Sequence, residues 1–299
     1  MTDTRSPITD GTARRPVPPA ESPPQTVRRR PVPSATITPM PPSDRRFEEL
    51  IAEAEASAVD GWDFSWLDGR ATEERPPWGY ARSMAARMAR ATAALDLQTG
   101  GGEVLASVPK LPPLTVATEG WPPNLGRAAA RLRPRGVRLV ACSDDSPLPF
   151  ADGAFDLVVS RHPVRVRWDE AARVLRPGGT YFSQEVGPAS VFELVEYFRG
   201  PQPPEVRDHR DPRHAVRGAE AAGLEVVDLR TARLRTEFFD VGAVVHYLRK
   251  VIWMVPDFTV ERYRDLLAGL HRRIEAEGPF VATTTRFLIE ATKPDRAVP

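Results

Sequence analysis

Leu95-Asp96-Leu97-Gln98-Thr99-Gly100-Gly101-Gly102-Glu103 is the stretch on which the fold turns. It continues an apolar run, 93–97, and leads into a short helical pattern at 103–108. Strand, glycine turn and helix make the first crossover of a nucleotide-binding α/β sheet. Glycine lacks Cβ, so the turn can reverse sharply and a ligand can approach the backbone. Downstream, strands are predicted at 114–118, 137–142, 155–160 and 180–186. Helices at 123–132 and 169–175 separate them, and Pro177-Gly178-Gly179 breaks the chain before 180. Short loops with alternating strands and helices predict a doubly wound, mostly parallel sheet.

On the N-terminal side, Phe47, Leu50, Ile51, Ala54 and Ala58 recur at helical spacing. An aromatic loop follows, with Trp62, Phe64, Trp66, Trp78 and Tyr80, and then a second helix at about 79–90. Residues 1–43 are rich in Pro, Arg, Ser and Thr and carry too little apolar surface to offset ordering entropy, so a disordered tail is expected there. On the C-terminal side, helices are expected at 191–198, 213–222, 239–253 and around Tyr263 to Ile274. Strands are expected at 224–229 and 280–291, the last antiparallel. The predicted organisation is therefore a tail at 1–43, a helical and aromatic lid segment at 44–91, and a seven-stranded α/β domain at 92–299 with a helical substrate-side insertion at about 188–278.

With 41 basic and 40 acidic residues the net charge is +1, so no global field draws the chain to nucleic acid or membrane. A single cysteine, Cys142, excludes a disulfide framework and a cysteine-rich zinc site; it is expected to be a buried strand residue. No apolar stretch reaches membrane-spanning length, and the N-terminus lacks the apolar core of a secretory signal. A soluble, cytoplasmic protein is expected.

In an open parallel sheet, ligands bind beyond the carboxyl ends of the strands. Those ends carry Asp96, then Glu119, then Asp144 and Asp145, then Ser160, Arg161 and His162, then Gln184 and Glu185. Acid at successive tips is more than loop polarity requires. Glu119 is placed to accept both hydroxyls of an adenosine ribose, and Asp144 the exocyclic amine of adenine. The competing roles are helix capping for Glu119 and an Asx turn for Asp144. Leu105 stands where a dinucleotide fingerprint would need glycine, and the lysine of a phosphate loop is absent.

The segments LDLQTGGGE (95–103), VATE (116–119), DDSPLPFADGAFDLVVSRH (144–162) and RVLRPGGTYFSQEVG (173–187) resemble the class I S-adenosylmethionine-dependent methyltransferases. Within that superfamily the chain is similar to the type 11-like methyltransferases, a bacterial branch without an assigned substrate. The resemblance implies a Rossmann-like fold and S-adenosyl-L-methionine as cofactor. It implies that Asp96, Thr99, Gly100 and Gly102 surround the methionine part, Glu119 holds the ribose and Asp144 the adenine end. Asp145, Ser160, Arg161, His162 and Tyr80 complete the expected cofactor set. Gln98 departs from the family's turn, which has glycine there, and Pro163 follows His162 where an acid is more usual.

Methyl transfer is an in-line displacement, and alignment alone lowers the barrier by up to about 7–11 kcal/mol. A hydroxyl acceptor also needs a base, for which His162 is the candidate; its alternative role is to line the pocket and hold the cofactor by a hydrogen bond. Gln184, Asp240, Tyr247 and Trp66 are the expected substrate-side residues. The expected activity is methyl transfer to a small-molecule acceptor. An RNA methyltransferase and a non-catalytic cofactor-binding protein are the alternatives. Nucleic acid is disfavoured because the Asn-Pro-Pro-Tyr signature of amine methylation is replaced by Ser160-Arg161-His162-Pro163.

Overall fold

Strands covered on both faces read as nearly continuous apolar runs. That is the pattern of β2 (Ala93–Leu97), β3 (Leu114–Glu119) and β5 (Phe155–Arg161), whose central residues are all buried. The computed structural model describes residues 47–295; the tail expected at 1–43 lies outside them. The described strands are completed by β1 (Ala71–Glu73), β4 (Arg138–Ala141), β6 (Leu175–Val186), β7 (Glu225–Phe238) and β8 (Phe280–Thr292). They form one sheet in the order β1-β7-β8-β6-β5-β2-β3-β4. β4, β3, β2, β5 and β6 run parallel; β8 is antiparallel to β6, β7 to β8 and β1 to β7. The strand order reverses between β2 and β5, which creates the crevice where such sheets hold ligands.

The helices are α1 (Phe47–Ala56), α2 (Tyr80–Met88), α3 (Glu103–Ala106), α4 (Pro122–Leu132), α5 (Trp168–Val174), α6 (Phe192–Arg199), α7 (Pro204–Arg207), α8 (Pro212–Ala221), α9 (Val241–Lys250) and α10 (Val260–Glu277). Residues from α2, α3 and α4 form one core with Ala94, Leu157, Val159, Phe182 and Leu288 of the sheet. Residues from α5 and α8 form a second core with Leu95, Val158, Tyr181 and Ile289 on the opposite face. A third core gathers α1, α6, α9 and α10 around Phe238, Phe280 and Ala282. Full burial of each such side chain is worth about 1.5–3 kcal/mol.

Alternation within a strand assigns the strand-tip residues to faces. Asp96 lies beside Ala117 and Val159, Arg161 beside Gln184, and Gln184 beside Leu288. Counting in twos, Glu119, Asp96, Arg161, Gln184 and Arg286 share the face packed against α2. Ser160, Ser183 and Glu185 belong to the other.

Four expectations need correction. The sheet has eight strands rather than seven, because β1 adds an edge; its three residues are too few to show alternation. Pro177-Gly178-Gly179 does not precede β6 but bulges inside it. Phe155 pairs with Leu175 and Leu157 with Thr180, so four residues of β6 oppose one of β5. β7 runs well past 229, to Phe238, and pairs along its length with β8. Cys142 sits one residue beyond β4 and is only half-buried. The 188–278 segment is thus helical except for β7.

Candidate functional site

The turn after β2 is held in left-handed conformations: φ is +53° at Gln98, +64° at Gly100 and +79° at Gly102. Gly102 has a second constraint, since a Cβ there would come 2.8 Å from Leu132 Cγ. Gln98 occupies the region that disfavours side chains, at about 1 kcal/mol or more. Its side chain compensates: Nε2 donates to Arg165 O at 2.7 Å, and Val164 N–H donates to Oε1 at 2.6 Å. The residue that departs from the family's glycine therefore ties the turn to the loop after β5.

Asp96 is 6% exposed. Thr99 Oγ1 donates to Asp96 Oδ2 at 2.6 Å, and no cationic side chain pairs with this carboxylate among the described residues. Burial lifts its pKa to about 7, against the pull of the Thr99 hydrogen bond and with a smaller push from Glu119. Glu119, 7% exposed, clamps the turn from the next strand. Gly100 N–H donates to Oε2 at 2.7 Å and Trp121 N–H to Oε1 at 2.8 Å. Burial raises the Glu119 pKa, and the backbone donors oppose the rise. Asp144 is half-buried within electrostatic range of Glu119, and its own pKa is raised by burial and then by Asp145.

Aromatic rings flank the turn. Trp62 Cδ1 lies 3.6 Å from where a Cβ on Gly100 would sit, and the Trp62 ring tilts against Trp253 at 5.6 Å. Both indoles are exposed. The Trp62 loop is tied to α4 by Arg127 Nη1, which donates to Asp60 O at 2.9 Å.

On the tips of β5 and β6, Trp78 Nε1–H donates to Gln184 Oε1 at 2.7 Å. That fixes the amide, so Gln184 Nε2 donates to His162 Nε2 at 3.0 Å. His162 is therefore neutral with its proton on Nδ1. Burial, then the charges of Arg161, Arg286 and Arg210, hold its pKa well below 6.5. Its φ of +55° adds a second strained residue at the site. The adjacent Arg161 guanidinium has no hydrogen bond or ion pair among the described residues, whereas Arg286 Nη2 pairs with Glu73 Oε1 at 2.8 Å.

The structure thus gathers Asp96, Thr99, Gly100, Gly102, Glu119 and Asp144 at one end of the crevice and Arg161, His162 and Gln184 at the other. Other expected residues stand elsewhere. Tyr80 is buried, stacked on Phe182, with its hydroxyl donating to Ser160 O at 2.7 Å. Ser160 faces the opposite side of the sheet and donates to Leu97 O. Asp145 is exposed and pairs with Arg165. Asp240 is the N-cap of α9, accepting from Ala243 N–H at 2.8 Å. Trp66 stacks on the buried His246, with the Arg70 guanidinium also over its ring at 4.1 Å. Tyr247 packs edge-on to Phe238, near Glu73 and Arg286. Sequence reasoning passed over Arg286 and Glu73, which lie on strands far along the chain, and gave Trp78 no role of its own.

Residues 95–183 match the methyltransferase domain family. Together with the strand order, this gives the chain a methyltransferase-like fold, with a match to the methyltransferase domain over that stretch. Over 146 residues it is 29% identical to malonyl-[acyl-carrier protein] O-methyltransferase of Dechloromonas aromatica (strain RCB), a match covering 43% of this chain and 54% of that protein. The chain therefore spans about half the length of that curated relative. A crystal structure from Bacillus halodurans C-125, assigned as a methyltransferase, is 21% identical and covers 71% of this chain and 99% of its own, with a TM-score of 0.50. Among the described residues no helix is long and apolar enough to cross a membrane, and no cluster of His, Cys, Asp and Glu has metal-binding geometry.

Proposed function

We propose that the protein transfers a methyl group from S-adenosylmethionine to a small-molecule acceptor. The observation that carries this reading is Asp96: a buried carboxylate beside a glycine turn, with a hydroxyl partner but no cation. Such a group is costly to ionise alone and is stabilised by an incoming ammonium. Glu119 retains free lone pairs on both oxygens beyond its backbone donors, enough to accept two ribose hydroxyls. Asp144 stands beyond it for the adenine amine. When bound, the cofactor supplies a methyl group activated on a sulfonium. The chain's own part is to fix that group's position through the turn and to exclude water with Trp62 and Trp253.

His162 is assigned an orienting role rather than that of base. Neutral imidazole has one basic lone pair, and on His162 it already accepts from Gln184. The malonyl relative acts on oxygen of a small acyl group, which supports a small-molecule acceptor for this chain. Titration with S-adenosylhomocysteine tests the assignment. Wild type should bind with micromolar affinity and Glu119→Gln about tenfold or more weakly. Failure of wild type to bind at millimolar ligand would end the reading.

A further inference from the structure

Building on that cofactor assignment, we propose that the methyl acceptor is a carboxylate, held by Arg161 and methylated on oxygen to give a methyl ester. The strand-tip row is polarised. Its β3 and β2 end is acidic, with Glu119 and Asp96, and its β5 and β8 end is cationic, with Arg161 and Arg286, on the same face of the sheet. Arg286 is neutralised by Glu73 at 2.8 Å. Arg161 is not neutralised by any described residue. Solvent reaches it, yet protein surrounds it closely enough that burial lowers its pKa. A solvent-facing guanidinium at the strand tips with no partner is a ready carboxylate receptor, through paired N–H donors.

The second line of argument is the lack of a base at this end of the crevice. The His162 lone pair accepts from Gln184, the Tyr80 hydroxyl donates to Ser160 O, and the Glu73 carboxylate is paired with Arg286. None of these three side chains is free to take the proton of a hydroxyl acceptor. A carboxylic acid, with a pKa of about 4, is already ionised at neutral pH. With one oxygen on Arg161, the other attacks the methyl carbon. The O–CH3 bond forms as the C–S bond breaks, and that electron pair stays on sulfur. Carboxylate and sulfonium charges cancel, giving a neutral ester and a neutral thioether, and no proton moves.

The test uses the full chain, its Arg161→Gln and Arg161→Lys variants, and S-adenosylmethionine labelled in the methyl group. Aliphatic, aromatic and dicarboxylic acids are offered at millimolar concentration, with their primary amides as controls. Methyl esters are read as label released as methanol by alkali. The proposal expects alkali-labile label from acids and none from amides. Arg161→Gln should lower kcat/KM for the acids about 10–100-fold while the S-adenosylhomocysteine Kd stays within about twofold, and Arg161→Lys should recover part of the rate. Alkali-stable product, equal use of amides, or no esterification of any acid overturns it. So does a parallel loss of S-adenosylhomocysteine affinity in Arg161→Gln, which would give Arg161 to the cofactor's own carboxylate. Wild type that fails to bind S-adenosylhomocysteine would instead sink the cofactor assignment, and this proposal with it.

Discussion

Replacing Asp96 with Asn should make the protein more stable and less able to hold its cofactor. The native carboxyl titrates at about 7, against an ordinary value of 3.8, because burial disfavours its charge. A raised native pKa means that the folded state holds the proton more tightly than the unfolded chain. Its contribution to stability is complete below about pH 3.8 and is lost as pH rises through about 7. Each pH unit in that window is worth about 1.4 kcal/mol, so between pH 5.5 and 7.5 Asp96 alone removes about 2 kcal/mol. Asn preserves the acceptor for Thr99 Oγ1 and carries no charge. Urea unfolding of both proteins at the two pH values isolates the effect, since His162, His246 and Glu185 titrate alike in each. The stability difference should grow by about 2 kcal/mol in favour of Asp96→Asn as pH rises. S-adenosylhomocysteine affinity should fall in the same variant, because its ammonium loses the carboxylate. Parallel pH profiles, or unchanged affinity, would refute the view of Asp96 as a strained acid kept for a cation.

Glu119→Gln should also loosen the turn, because its NH2 cannot accept from both Gly100 and Trp121; a stability loss of about 1–3 kcal/mol by urea unfolding is expected, and none would show that the clamp is idle. Gln98→Gly relieves the positive φ but removes both tethers to 164–165, so global stability should change by less than about 1 kcal/mol while the Val164 amide loses hydrogen-exchange protection. His162→Asn should keep turnover within about threefold with an unaltered pH profile from 6 to 9. A fall of about 10²–10⁴ with loss of the acidic limb would restore His162 as base. Trp62→Ala should raise the S-adenosylhomocysteine dissociation rate about tenfold in stopped flow, the worth of one indole covering the turn; an unchanged rate would remove the lid.

Much of this molecule was legible in one dimension because its signals are local. The apolar runs of β2, β3 and β5, the glycines at 100 and 102 and the acids at the ends of β2 and β3 are each read within a window of a few residues. Strand tips converge in any parallel sheet, so locating the strands placed these side chains at one edge. The aromatic loop at 62–80 reads as a lid candidate because the segment that carries it leads into the first strand.

What the chain order could not reveal depends on contacts between distant segments. Asp240 and Trp66 were expected at the acceptor wall, yet one caps α9 and the other stacks on His246. No sequence spacing distinguishes a polar group that meets a ligand from one that meets a backbone amide. The state of His162 follows from Trp78 and Gln184, far apart in the chain and joined only through the sheet. The freedom of Arg161 is visible only because Glu73, from the N-terminal segment, reaches Arg286, from the last strand. By itself the sequence determined the sheet, the turn and the acids at its edge, since periodicity and backbone chemistry are local. The tertiary structure alone decided which polar groups are already satisfied and which remain free to act, because a hydrogen bond or ion pair is settled by proximity in space.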